Sequence, residues 1–320
     1  MDIPARTGKI LVIRSGAIGD FIVTLPVLQL LRRTYSSRWL ALVAKGRVRR
    51  LAEQVVDEFV DMDGRLLVPF FGDRPEGNAP ECRYVGGFDL VISYLGKTGK
   101  MAENLLALRK PRVINADPLP PEGYGGHITE FLLDPLAEVM SVSSPPLPTV
   151  AIGEEEVRRA EVFLSANGIP ATAPIIAVHP GSGTRPKVVP AGGFCRAVNW
   201  LCSRFAAAKV VVVEGEADEE NVLAFERCLE TACVRVRKES LLEVAAILSL
   251  ASLFVGNDSG IAHLAAAVGV PTVVVFRASN PRLWLPRGRK VWVAKESTLQ
   301  SVVVEMAKEL FGPAHRGTRD

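Results

Sequence analysis

The sequence is poor in the residues that build metal centres and disulfide scaffolds, with five cysteines (Cys82, Cys195, Cys202, Cys228, Cys233) and four histidines in 320 residues. The cysteines are odd in number and none stands at C-x-x-C spacing. That pattern fits neither a disulfide framework nor a zinc site, and it suits a reducing cytoplasm. Histidine and carboxylate pairs at metal-ligand spacing are also missing, so no metal is expected. No apolar run reaches the roughly 18–20 residues a spanning helix requires. The start of the chain lacks the apolar core and small-residue cleavage site of a secretory signal. A cytoplasmic protein is expected, with any contact at the inner face of the membrane peripheral. The net charge of +3 is too small to argue for nucleic acid.

Acidic residues are absent between Asp20 and Glu53, a stretch that holds Arg32, Arg33, Arg38, Lys45, Arg47, Arg49 and Arg50. Such a run reads either as a solvated helix face plus a loop, or as a surface for an anionic substrate or membrane.

What is present is an apolar fraction of 48%, enough for a substantial core, arranged as short β-branched runs alternating with longer amphipathic segments. Strands are expected at 9–14, 39–43, 89–94, 112–115, 175–178, 209–213, 252–256 and 272–276. Helices are expected at 21–33, 127–140, 154–167, 193–205, 241–249 and 261–268. This rhythm predicts parallel sheets with helices on both faces. Ser141–Val150, with three prolines and three serines, is the best linker. Two domains follow, 1–145 and 146–320, with a last helix at 298–311 able to pack on either half. Ligands in such sheets lie beyond the carboxyl ends of the strands, here in a cleft between the two halves.

Three strand-to-loop junctions carry unusual residues. In the first, Arg14–Asp20, Gly16 and Gly19 allow a sharp turn into a helix. Asp20 at its start is either a cap or a carboxylate available as a general base. Ala17 and Ile18 break the G-x-G-x-x-G pattern, which argues against a nicotinamide enzyme. The second, Val178–Lys187, offers free backbone N–H groups with Ser182, Gly183, Thr184, Arg185 and Lys187, a set that suits a diphosphate but is not a Walker A loop. In the third, Val255–His263, Asp258 or Ser259 caps a helix, Gly260 permits close approach, and His263 lies one turn in.

These blocks resemble glycosyltransferase family 9, the ADP-heptose:lipopolysaccharide heptosyltransferases. The match runs through K-I-L-V-I-R-x-G-A-I-G-D-x-x-x-T-x-P (Lys9–Pro26), H-P-G-S-G-x-x-x-K (His179–Lys187) and G-N-D-S-G-x-x-H-L-A-A-A-x-G-V-P-T (Gly256–Thr272), with an echo at Asn280–Trp284. The resemblance implies an α/β GT-B fold of two Rossmann-like, doubly wound domains facing a cleft. It assigns the acceptor to the first domain, at Gly16, Gly19, Arg47 and Arg50, and the sugar nucleotide to the second. It further implies inverting, metal-independent heptosyl transfer from ADP-heptose to an anionic glycolipid of the lipopolysaccharide core type, without a cofactor or nucleic acid. Asp20 matches the proposed base and Lys187 the lysine on the donor phosphates. Ser182, Gly183, Thr184, Asp258, Ser259, Gly260 and His263 match donor-binding positions. A carboxylate for the nucleoside is Glu216, Asp218 or Glu219. Two positions depart from the family pattern: Val189 stands where K-x-W-P has tryptophan, and Arg277 follows Phe276 where glycine is frequent. Two competing readings are a GT-B-like enzyme using a UDP-sugar and a non-catalytic nucleotide-binding protein.

Overall fold

The computed structural model describes residues 8–311 apart from 74–76, 78, 143, 217 and 238. The chain divides into two compact units, Met1–Pro148 and Thr149–Asp320. The first holds one sheet built from β1 (Lys9–Ile13), β2 (Trp39–Ala44), β3 (Glu58–Asp61), β4 (Leu90–Ser93) and β5 (Arg112–Asn115). Their order is β3-β2-β1-β4-β5, and every pairing is parallel. Parallel strands covered on both faces need continuous apolar sequence rather than alternation, and Ile10–Ile13 and Leu40–Ala44 are buried throughout. Leu11, Ile13, Val43 and Val91 pack with Phe70 and Leu105 on one face.

The second unit repeats the design with β6 (Ile175–His179), β7 (Lys209–Glu214), β8 (Cys233–Arg237), β9 (Leu253–Asn257), β10 (Thr272–Val275) and β11 (Val291–Ala294). The order β11-β10-β9-β6-β7-β8 is again wholly parallel. Its core joins Val178, Val210 and Val255 to Phe194, Val198 and Leu201 of the helix Ala191–Arg204. Phe194 is fully buried, so truncating it to alanine costs about 3–5 kcal/mol.

The strand order reverses between β1 and β4 in one sheet and between β6 and β9 in the other. At such a switch point the loops leave in opposite directions and open a crevice at the carboxyl ends. The turns after β1, β6 and β9 all lie at these points.

Two expectations are corrected and one left open is decided. The span 127–140 is not one helix: Ile128–Leu133 is α-helical and Asp134–Glu138 tightens into a 3-10 turn. Pro135 lacks the N–H that would continue the α-helical ladder, so the shorter hydrogen-bond pattern takes over. The last helix, Leu299–Phe311, belongs to the second unit, where Leu299, Val303, Met306 and Ala307 form one buried face against its core. Finally, Cys195 and Cys228 are joined in a disulfide, their Cα atoms 5.9 Å apart. The helix Glu219–Cys228 packs along Ala191–Arg204, and that neighbourhood, invisible in the cysteine spacing, brings the two together.

Candidate functional site

In the first unit the chain leaves β1 through Arg14 and turns at Gly16, whose φ of +122° lies in the left-handed region. A Cβ there would also stand 2.5 Å from the Asp20 carboxylate, so glycine is required twice over. The following helix, Ile18–Thr34, begins three residues earlier than its apolar pattern indicates, which makes Asp20 its third residue. Asp20 Oδ2 accepts from the Ala17 N–H at 2.8 Å, one half of a capping box, since the alanine at the cap position has no side-chain acceptor to return the bond. Asp20 Oδ1 accepts from Arg14 Nη2 at 3.1 Å.

That ion pair is lopsided. The Arg14 side chain is 3% exposed and the Asp20 side chain 25%. Arg14 Nη1 donates to the Pro118 carbonyl at 3.0 Å, while its Nε is buried without a partner. Burial pulls the Arg14 guanidinium below its usual pKa, and Asp20 opposes that shift. A buried cation is tolerated only beside a compensating anion, and Asp20 supplies that anion for Arg14. Capping and a charged, partly open carboxylate therefore coexist in one residue.

Beside this turn lies a pocket of about 420 Å³ lined by Ser15, Met62, Asp63, Leu67, Phe71, Leu95 and Met101. The basic stretch divides in two. Arg32 is spent on the Val55 and Arg38 carbonyls and on Asp57, and Arg38 is buried with its guanidinium over the Tyr35 ring. Lys45 pairs with Asp63, and Arg49 pairs with Glu53 and lies over Phe59. Arg33, Arg47, Arg49 and Arg50 are the exposed members.

In the second unit the turns after β6 and β9 are built into each other. Asn257, fully buried, donates to the Pro180 and Gly181 carbonyls at 2.8 and 3.3 Å and accepts from the Val189 N–H at 3.1 Å. Ser182 Oγ donates to the Asp258 carbonyl at 2.9 Å. Lys187 Nζ stands 2.8 Å from Asp258 Oδ2, which also accepts from the Ser279 hydroxyl. Here the lysine side chain is 32% exposed and the carboxylate 3%. Gly183, Thr184 and Arg185 are exposed on the same turn. Ser259, not Asp258, caps the helix Gly260–Ala267 by accepting from the Ala262 N–H, and His263 is buried within it.

The three carboxylates after β7 have different fates. Asp218 is 5% exposed and turned inward, accepting from the Gly215 N–H at 3.1 Å and lying 3.6 Å from His179 Nε2. A Cβ on Gly181 would collide with it at 2.0 Å. Glu216 and Glu219 are exposed, with Glu219 near Arg237 at 3.6 Å. His179 Nδ1 donates to the Val213 carbonyl at 2.9 Å, and burial pulls its pKa below the usual value against the pull of Asp218. His179 and Asp218 thus pack beneath the Pro180–Lys187 turn as its floor. Among the described residues, no group of three histidine, cysteine or carboxylate side chains is placed to hold a metal, and no helix is long and apolar enough to cross a membrane.

Sequence reasoning missed Arg14, Asn257 and Ser279 as members of these networks. Asn257 and Arg14 stood inside the recognised blocks. Ser279 carried no signal, because its partner Asp258 lies on another strand's loop.

The model of glycosyltransferase family 9 (heptosyltransferase) matches residues 136–309. A family 9 glycosyl transferase from Veillonella parvula has a similar structure, with a TM-score of 0.80, 22% identity, and coverage of 97% of this chain and 98% of that one. The E. coli ADP-heptose lipopolysaccharide heptosyltransferase II follows the same fold at TM-score 0.73 and 19% identity over 95% and 98% of the two chains. The E. coli heptosyltransferase WaaC, solved with ADP, does so at TM-score 0.63 and 20% identity over 94% and 99%.

Proposed function

The chain belongs to glycosyltransferase family 9, and from that premise we propose that this transferase moves a heptose, or a related sugar, from ADP-heptose to an anionic glycan acceptor of the lipopolysaccharide inner-core type. One observation carries the reading: the two switch-point turns present an open carboxylate, Asp20, and an open cation, Lys187, each braced by a buried partner. Binding a nucleotide requires the second but not the first.

In the proposed reaction an acceptor hydroxyl attacks the anomeric carbon from the face opposite the diphosphate, so the configuration inverts. A sugar hydroxyl is a poor nucleophile, and Asp20 accepts its proton as the C–O bond forms. The bond from the anomeric carbon to the diphosphate oxygen breaks, and ADP leaves with the electron pair. Lys187, Thr184 and the N–H groups of Gly183, Ser259 and Gly260 meet the charge that develops, without a metal, while Ser182, its hydroxyl given to the Asp258 carbonyl, braces the turn that presents them. Removing one such donor typically costs about 3–4 kcal/mol of transition-state stabilisation. Asp258 holds Lys187 in place and His263 supports the same turn. Glu216, exposed where Asp218 is turned inward, is our choice for the nucleoside ribose. Gly16, Gly19, Arg47, Arg50 and the pocket beside Ser15 form the acceptor side.

A UDP-sugar donor is the second reading, favoured by Val189. It occupies the usual tryptophan position yet is buried in the core at 1% exposure, so no aromatic ring stands beside Lys187 from that position. Thermal unfolding with ADP, UDP and GDP in metal-free buffer separates the two. A nucleotide at 100 times its Kd stabilises the native state by about 2.7 kcal/mol. Stabilisation by ADP over UDP and GDP is expected; preference for UDP overturns the donor, and response to none overturns the nucleotide-sugar reading.

A further inference from the structure

The cation aimed at the donor has a charge deficit. Lys187 is paired at 2.8 Å with Asp258, whose side chain is 3% exposed, so the two sum to no net charge. A nucleoside diphosphate carries several negative charges, and its departure adds to them. N–H dipoles and hydroxyls orient that charge but do not neutralise it.

The loop after β10 supplies what is missing. It contacts Asp258 directly and grips the backbone of the residue next to Lys187. Ser279 Oγ donates to Asp258 Oδ2, and Arg277 Nη1 donates to the carbonyl of Val188, the residue next to Lys187, at 2.6 Å. Among the described residues no carboxylate pairs with Arg277, which is exposed. Its guanidinium is anchored through one nitrogen and keeps Nη2 and Nε for another partner. Arg185, on the same turn as Lys187, is also exposed but has no such anchor. An anchored fork loses less freedom on gripping phosphate oxygens than a free side chain does. The two departures from the family pattern also meet here: Arg277 replaces a glycine, and the carbonyl it grips belongs to Val188, the residue before Val189.

We propose that Arg277 is a donor-binding residue that clamps the diphosphate of the nucleotide sugar and provides the net positive charge the Lys187–Asp258 pair lacks. This rests on the reading of the second unit as the nucleotide-sugar site. The loop after β10 is then a third wall of that site, beside the turns after β6 and β9.

The test is a titration of the full-length protein with ADP, UDP and AMP by calorimetry, comparing wild type, Arg277→Gln, Arg277→Lys and Arg204→Gln. Arg204 is an exposed arginine at the carboxyl end of the helix Ala191–Arg204, away from the strand-end loops. Arg277→Gln should weaken ADP roughly tenfold, the loss of one charge-assisted contact, and AMP less. Arg277→Lys should recover part of the loss, and Arg204→Gln should bind as wild type. Raising the salt concentration should weaken ADP less in Arg277→Gln than in wild type. All three variants change exposed side chains, and melting temperatures without ligand check that they fold. Unchanged ADP affinity in Arg277→Gln overturns the proposal while leaving the donor reading intact. If UDP binds in place of ADP and Arg277→Gln weakens it, the clamp stands and the ADP assignment falls. Binding of no nucleoside diphosphate overturns both.

Discussion

The two switch-point turns are built alike with the charges exchanged. After β1 the anion Asp20 faces outward, and the cation Arg14 is buried behind it. After β6 the cation Lys187 faces outward, and the anion Asp258 is buried behind it. In each case a Gly-containing turn exposes one charged group, while a neighbouring element hides its partner. A buried ion pair is a poor source of stability, because desolvation cancels much of the attraction. Its advantage here is geometric: the hidden partner fixes where the open one points. In the proposed reaction the polarity of each turn matches its task, a carboxylate to take a proton and an ammonium to meet a diphosphate.

The comparison can be broken at its hidden members. Arg14→Gln removes the brace from Asp20 and leaves the donor turn untouched. Turnover should fall roughly 100-fold, as expected when a reacting group is misplaced by about 1 Å, with ADP affinity unchanged. Steady-state kinetics beside an ADP titration checks this, and a loss of ADP binding in that variant would mean that the two turns are not independent. A smaller effect concerns the floor of the second turn. His179 is buried with a pKa below its ordinary 6.5. The unfolded chain therefore takes up the proton first, so the stability linked to this residue is present above about pH 6.5 and lost as the pH falls below it. The slope should reach at most about 1.4 kcal/mol per pH unit. Chemical denaturation between pH 5 and pH 8 should show that slope in the wild type and a weaker one in His179→Gln. Equal slopes would remove His179 from the account.

Much of this was legible in the sequence, for a physical reason. Strands buried on both faces, such as β1, β2, β7 and β10, must be continuous runs of Val, Ile, Leu and Ala, and such runs stand out. The strands missed, β3, β8 and β11, are all sheet edges. β3 (EFVD) is two apolar residues between two carboxylates and β8 (CVRVR) alternates with charge, so both resemble loops. Asp20 and Lys187 were visible because they sit in Gly-containing turns directly after buried strands. Their partners were only half visible. Arg14 reads as the last residue of a strand, and Asp258 as a helix cap. The contact between Lys187 and Asp258 exists only because β6 and β9 are neighbours across a switch point. The same holds for the Cys195–Cys228 bond, which depends on two helices packing side by side. Asp218 shows the limit from the other side, because three nearby carboxylates look equivalent until the fold turns one of them inward.

The most direct test of the exchanged-polarity account is to measure turnover and ADP affinity together in Asp20→Asn. The account predicts turnover reduced by roughly 10²–10⁴-fold, the usual contribution of a general base, with ADP bound as in the wild type. Turnover at the wild-type rate, or a parallel loss of ADP binding, would contradict it: the first would leave Asp20 as a helix cap alone, the second would place it in the nucleotide site.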